Sequence, residues 1–127
     1  MPYRQFNTKS VQVTVEELAG YVKVKLFGQY LYEDFCLVVD GFSDLAGKTG
    51  KQRIYLDLLD VKGDIPALER YNLGKRSAEA WGDILKVAAA APAEKINRLW
   101  ENTAVNRFAR VRVFYDEASA LDWLLQE

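Results

Sequence analysis

Three groups of residues have types and spacings that could do chemistry. Asp57, Asp60 and Asp64 close a run of strand formers, with Lys62 between them and Arg70 and Asn72 shortly after. Carboxylates grouped at a strand exit can move protons or hold a hard cation, and ligands of open α/β sheets favour the carboxyl ends of strands. The same residues also have a structural reading, with Asp64 as a helix cap and Asp57 paired with Arg70 or hydrogen-bonded to neighbouring backbone. The second group is Glu101-Asn102 with Asn106-Arg107, where the two amides lie four residues apart and share one helix face. Amides so placed can grip a polar ligand; alternatively Asn106 ends the helix, Asn102 satisfies a loop and Glu101 pairs with Arg98. The third group is aromatic. Tyr71, Trp81, Trp100 and Trp123, with Tyr30 and Tyr32, could build an apolar pocket or a self-association surface. At helical spacing such residues are more often core, which is the expectation for Trp81 and Trp100, while Trp123 is expected to be half exposed.

Composition narrows the chemistry. The 127 residues include 17 Lys and Arg, 18 Asp and Glu, and no His. Without His there is no Ser-His-Asp or Cys-His nucleophile pair, and the commonest transition-metal ligand is missing. The single Cys36 makes neither an internal disulfide nor a zinc site, which suits a reducing, cytoplasmic setting. A net charge of −1 lacks the basic stripe that phosphate backbones demand, so nucleic acid is not an expected partner. No apolar run approaches the roughly 18 residues of a membrane span. Gly28, Gly41, Gly47, Gly50 and Gly63 form no phosphate-cradling loop. The expectation is a protein without enzymatic activity, cofactor or metal.

The elements that must position these groups follow from periodicity. Val11, Val13 and Val15 alternate with polar residues, and a second strand over Tyr21 to Phe27 follows the turn Ala19-Gly20. Leu31, Phe35, Val38, Phe42 and Leu45 make one helical stripe, with Gly47 as the expected stop. Arg53 to Leu59 is apolar on both faces, as in a central strand covered on each side. A helix follows Pro66, with Ala67, Tyr71, Gly74, Ala78 and Trp81 on one face. Ile84 to Ala91 reads as a strand ending at Pro92, and a third helix is expected from about Ala93 to Phe108, with Ile96, Leu99, Trp100, Thr103 and Ala104 inward. Arg110 to Tyr115 is a last strand, where Arg110 and Arg112 suit an edge. Asp116 then caps a short helix carrying Ala118, Leu121, Leu124 and Leu125. This order specifies an α/β domain over 1–127, with a mixed, largely parallel sheet of about five strands and about four helices.

Ile54-Tyr55-Leu56-Asp57-Leu58-Leu59-Asp60-Val61, then Lys86-Val87-Ala88, Glu101-Asn102-Thr103-Ala104-Val105-Asn106-Arg107, Val111-Arg112-Val113-Phe114 and Ala120-Leu121-Asp122-Trp123-Leu124 together resemble the SpoIIAA-like branch of the STAS superfamily. The resemblance runs from about Val11 to the C-terminus and implies a single-domain SpoIIAA-like fold. It also implies a regulatory module that binds a protein partner. In anti-sigma-factor antagonists of this superfamily a serine at the start of the helix after the central strand is phosphorylated. Here Val61 to Leu68 holds no Ser or Thr, and Ser77 lies about three helical turns into the helix, so the phosphorylation switch is not carried over. An association with SEC14-type lipid-binding domains implies instead a small apolar ligand between sheet and helices, for which Ala88 to Ala91 could leave room. The candidate contact residues are Asp57, Asp60, Lys62, Asp64, Arg70 and Asn72 at the strand exit, and Asn102, Asn106 and Arg107 on the third helix. The partner is another protein, a second copy of the chain in a homodimer, or that apolar ligand.

Overall fold

A computed structural model describes residues 3–93 and 98–126, with the backbone alone over 3–7. Alternating valines decide its first layer. β2 (Val11–Leu18) and β3 (Tyr21–Gln29) pair antiparallel, and Val11, Val13, Val15, Val22, Val24 and Leu26 all turn to one buried face. Each such side chain taken fully out of water contributes roughly 1.5–3 kcal/mol before the cost of ordering the chain. β1 (Tyr3–Asn7) adds a further antiparallel strand at the edge of the sheet.

From β3 onward every neighbour is parallel. α1 (Tyr32–Thr49) leads to β4 (Arg53–Lys62), α2 (Ala67–Trp81) to β5 (Lys86–Ala90), and α3 (Leu99–Val105) to β6 (Arg110–Phe114). The strands lie in sequence order, β1 to β6. Right-handed crossovers advancing in one direction must stack their helices on one face, and α1, α2 and α3 share one buried cluster with Leu26, Ile54, Leu56, Val87 and Val111. α4 (Glu117–Leu124) covers the other face, where Ala120 and Leu124 meet Tyr55, Ala88 and Ala90. The sheet therefore holds the five expected strands plus β1, and β6 is the edge at which Arg110 and Arg112 stand exposed.

The three helices are locked by aromatic rings with satisfied polar ends. Trp81 stacks on Phe42 at 5.3 Å, meets Trp100 edge-on at 6.2 Å, and donates its indole N–H to the Val39 carbonyl at 2.8 Å. Trp100 donates to Ser77 Oγ at 3.1 Å. Trp81 is core, as its spacing predicts; Trp100, expected in the core as well, is half-buried and packs against it, and Trp123 on α4 is half-buried. α2 and α3 approach closely at Gly74, where a Cβ would stand 2.6 Å from Thr103 Cβ and 2.9 Å from the Trp100 carbonyl oxygen.

Several boundaries differ from the sequence expectation. α1 passes Gly47 and stops at Gly50, which adopts φ 72° and returns its N–H to Ala46 O, so the turn geometry sits three residues further on. Leu31 is the N-cap of α1 and is exposed, outside the buried stripe. Asp64 does not cap α2. The residue before a proline is disfavoured in the helical region, so the chain stays extended through Pro66 and α2 starts without a side-chain cap. On α2 the buried residues are Leu73, Gly74, Ser77, Ala78 and Trp81, whereas Ala67 and Tyr71 are exposed, because this helix is pressed between α1 and α3. β5 begins at Lys86, with Ile84 left 59% exposed. α3 runs from Leu99 to Val105 and its turn takes up 106–108; Ile96 lies outside the described residues. Asp116 caps α4 as expected, accepting the Ser119 N–H at 2.7 Å, but Ala118 and Leu125 are exposed and Ala120 is buried in their stead.

Candidate functional site

Strand parity separates the residues that sequence proximity groups together. Tyr55 and Leu59 belong to the α4 side of the sheet, so Asp57, two residues from each, faces that side too. Its carboxylate accepts the Leu59 N–H at 2.9 Å and lies 3.4 Å from Lys25 Nζ. Lys25 reaches on to Asp60 at 2.7 Å, next to a register shift between Lys25 and Phe27. Burial lowers the Lys25 ammonium's pKa, but the hydrogen bond to Asp60 and the two negative charges outweigh it and hold the pKa above its ordinary value. Asp57, Lys25 and Asp60 thus form a structural triad that ties β3 to β4 across the irregularity. Asp57 takes the backbone hydrogen bond that was one of its two structural readings, and its cation is Lys25.

Arg70 sits on the opposite face. Its Nε donates to the Ile65 carbonyl at 2.8 Å, and it lines a cavity of about 100 Å³ with Leu56, Leu58 and Leu73. This cavity lies between the sheet and the three helices, near the carboxyl ends of β4 and β5, where Ala89 and Ala91 leave room. Ala88 and Ala90 face α4 instead. The polar side chains in the lining are Arg70, Arg98 and Glu101. Glu101 is buried, accepts from Arg98 at 2.8 Å and from the Val113 N–H at 2.9 Å, and so clamps α3 to β6. The carboxylates of Asp57 and Asp60 do not face this cavity. Among the described residues no group of three or more His, Cys, Asp or Glu converges as a metal cage would require.

The remaining candidates lie at the surface. Lys62 is exposed at the end of β4, Asp64 is exposed on the connection to α2, and Asn72 is half-buried on α2. Asn102 and Asn106 are exposed, with the Asn106 N–H returned to Asn102 O at the end of α3. Arg107 crosses to α2, donating to the Tyr71 hydroxyl at 3.2 Å with its guanidinium 5.4 Å from that ring's centre, while Lys75 stands 5.6 Å from the same ring. The structure thus joins Arg107 to Tyr71, a residue whose spacing placed it on one helix face with Trp81. It also presents Phe108, 83% exposed at φ 74°, which no periodicity marks out. Its only sequence signal is a helix ending with no glycine to close it.

The sequence matches no family model and no curated protein. In three dimensions the chain is similar to an anti-sigma factor antagonist from Mycobacterium paratuberculosis, with a TM-score of 0.65 at 14% identity over 92% of this chain and 96% of that one. It is also similar to an uncharacterised protein of the DUF3478 family from Shewanella loihica, described as having a SpoIIAA-like fold, with a TM-score of 0.50 at 19% identity over 94% and 97% of the two chains. The fold is SpoIIAA-like, as the motif resemblance implied.

Proposed function

We propose that residues 1–127 work as one non-catalytic, STAS-type regulatory module that binds a protein partner in the cytoplasm and lacks the usual phosphorylatable serine at the start of the helix after the central strand. The observation that carries this reading is the connection from β4 to α2. With the end of β4 and the first turn of α2 that flank it, it exposes Lys62, Asp64 and Leu68 to solvent and contains neither Ser nor Thr. Ser77, further along α2, is fully buried and donates to the Leu73 carbonyl at 2.7 Å, so a kinase cannot reach its hydroxyl. Likeness of fold to an anti-sigma factor antagonist supports a protein as the partner, whether another chain or a second copy of this one. Quantitative affinity capture from native lysate, comparing wild type with Lys62→Glu, tests the reading. A protein retained by the first and lost by the second is expected; identical retained sets for both refute it.

A second reading has its own observation, the apolar cavity beside Ala89 and Ala91. At about 100 Å³ it is below the roughly 150 Å³ that admits benzene in an engineered core, so the ligand is a small apolar molecule or the terminus of a longer chain. Native mass spectrometry decides. Mass released on denaturation supports a carrier or sensor, and a clean mass that survives incubation with short-chain hydrocarbons unchanged removes it.

A further inference from the structure

The surface shared by α2 and the end of α3 carries features that folding alone does not explain. Phe108 N–H bonds to Val105 O at 2.9 Å and Ala109 N–H to Ala104 O at 3.1 Å. This is the Schellman closure, in which the left-handed residue is ordinarily glycine because a Cβ there is strained. Phe108 occupies that position at φ 74° and is 83% exposed, so the strain is not offset by burial. Beside it Arg107 holds Tyr71, and Leu68, three residues before Tyr71 on α2, is 70% exposed. Leu68 and Tyr71, with Phe108 next in sequence to the arginine that holds Tyr71, make up an exposed apolar strip, and two cations, Lys75 and Arg107, lie against the Tyr71 ring. Among the described residues neither Lys75 nor Arg107 has a carboxylate within salt-bridge distance, whereas Arg76 is paired with Asp40 and Arg98 with Glu101.

We propose that this strip docks an acidic segment of a partner protein, an apolar side chain of which packs on Phe108 while its carboxylates meet Lys75 and Arg107. This deepens the protein-binding reading and rests on it. Charge complementarity selects the occupant: two uncompensated cations beside exposed aromatic and aliphatic groups match a peptide that alternates Asp or Glu with apolar residues. A membrane surface fits less well, since basic sites for anionic lipid gather about four to eight Lys or Arg.

The test is panning of a random 16-residue peptide library against the full chain, followed by affinity measurement for the recovered peptides. Binders enriched in Asp and Glu around an apolar anchor are expected. Their affinity falls by about tenfold or more in Arg107→Glu and in Phe108→Gly and is unchanged in Lys62→Glu. Phe108→Gly is a suitable probe because glycine suits the backbone there, so lost binding is not lost folding; melting curves of each variant confirm this. Binders that depend on Lys62 and not on Arg107 or Phe108 overturn this surface while leaving the module reading intact. No acid enrichment, or no binder at all, overturns the surface alone provided the lysate experiment still yields a Lys62-dependent partner, and counts against both readings if it does not. Sedimentation with phosphatidylserine vesicles that Arg107→Glu abolishes would replace the acidic peptide with a lipid surface.

Discussion

Replacing Phe108 by glycine and by alanine tests the strain at the end of α3 with a sign as well as a size. Both substitutions delete the same exposed ring, so the burial lost is small and nearly common to the pair. They differ in the backbone. A left-handed conformation costs a residue with a Cβ roughly 1–2 kcal/mol, and glycine escapes that cost. Glycine's looser unfolded chain gives back roughly 0.4–1 kcal/mol. The difference leaves Phe108→Gly more stable than Phe108→Ala by about 0.8 kcal/mol. In an ordinary helical position the order is reversed, with glycine worse by roughly 0.8–1 kcal/mol. An unfolding entropy near 2.1 cal/mol/K per residue over this length turns the gap into about 3 °C of melting temperature. Urea unfolding followed by far-ultraviolet circular dichroism, with thermal melts alongside, measures both variants against wild type. Alanine equal to or more stable than glycine refutes a strained Phe108 and removes the main support for the docking surface.

Tyr55→Phe should hold stability level or raise it by up to about 1 kcal/mol, because the hydroxyl is fully buried without a well-formed hydrogen bond; a loss of more than that in urea unfolding would mean the group has a partner. Gly74→Ala drives a methyl into Thr103 and the Trp100 carbonyl, and calorimetry should show a destabilisation of roughly 1–3 kcal/mol with the α2 and α3 contact spread apart. For Asp34, burial raises the carboxyl's pKa, but hydrogen bonds from Thr8, Ser10 and the Lys9 N–H prevail and hold it below its ordinary 3.8. A depressed carboxyl stabilises the fold fully above its unfolded pKa and loses that contribution as pH falls through the lower folded value. The stability gap between wild type and Asp34→Asn should therefore be constant from pH 7 down to about 5 and shrink below about 4; a gap independent of pH would contradict it.

Much of this protein is written in local pattern. The alternation of Val11, Val13 and Val15, the continuous apolar run from Ile54 to Leu59, and Asp116 before its helix each express a contact made within a few residues, so each was readable from spacing. Trp81 of α2 was readable as core for a similar reason, since a large apolar ring at helical spacing has few other places to go. β1 was not, because an edge strand is held through its backbone ladder to β2 and needs no signature of side chains. The candidate site depended still more on tertiary structure. Asp57 and Arg70 are close in sequence, but period-2 alternation sends Asp57 to the α4 face, and the right-handed crossover carries α2, with Arg70, to the other. Tyr71 and Arg107 are 36 residues apart and meet only because Gly74 lets α2 and α3 come together. The sequence by itself determined, β1 apart, which segments are strands and helices and which residue types could act. Tertiary structure alone decided which of them share a surface, because facing and contact across the sheet depend on long-range packing that no local spacing records.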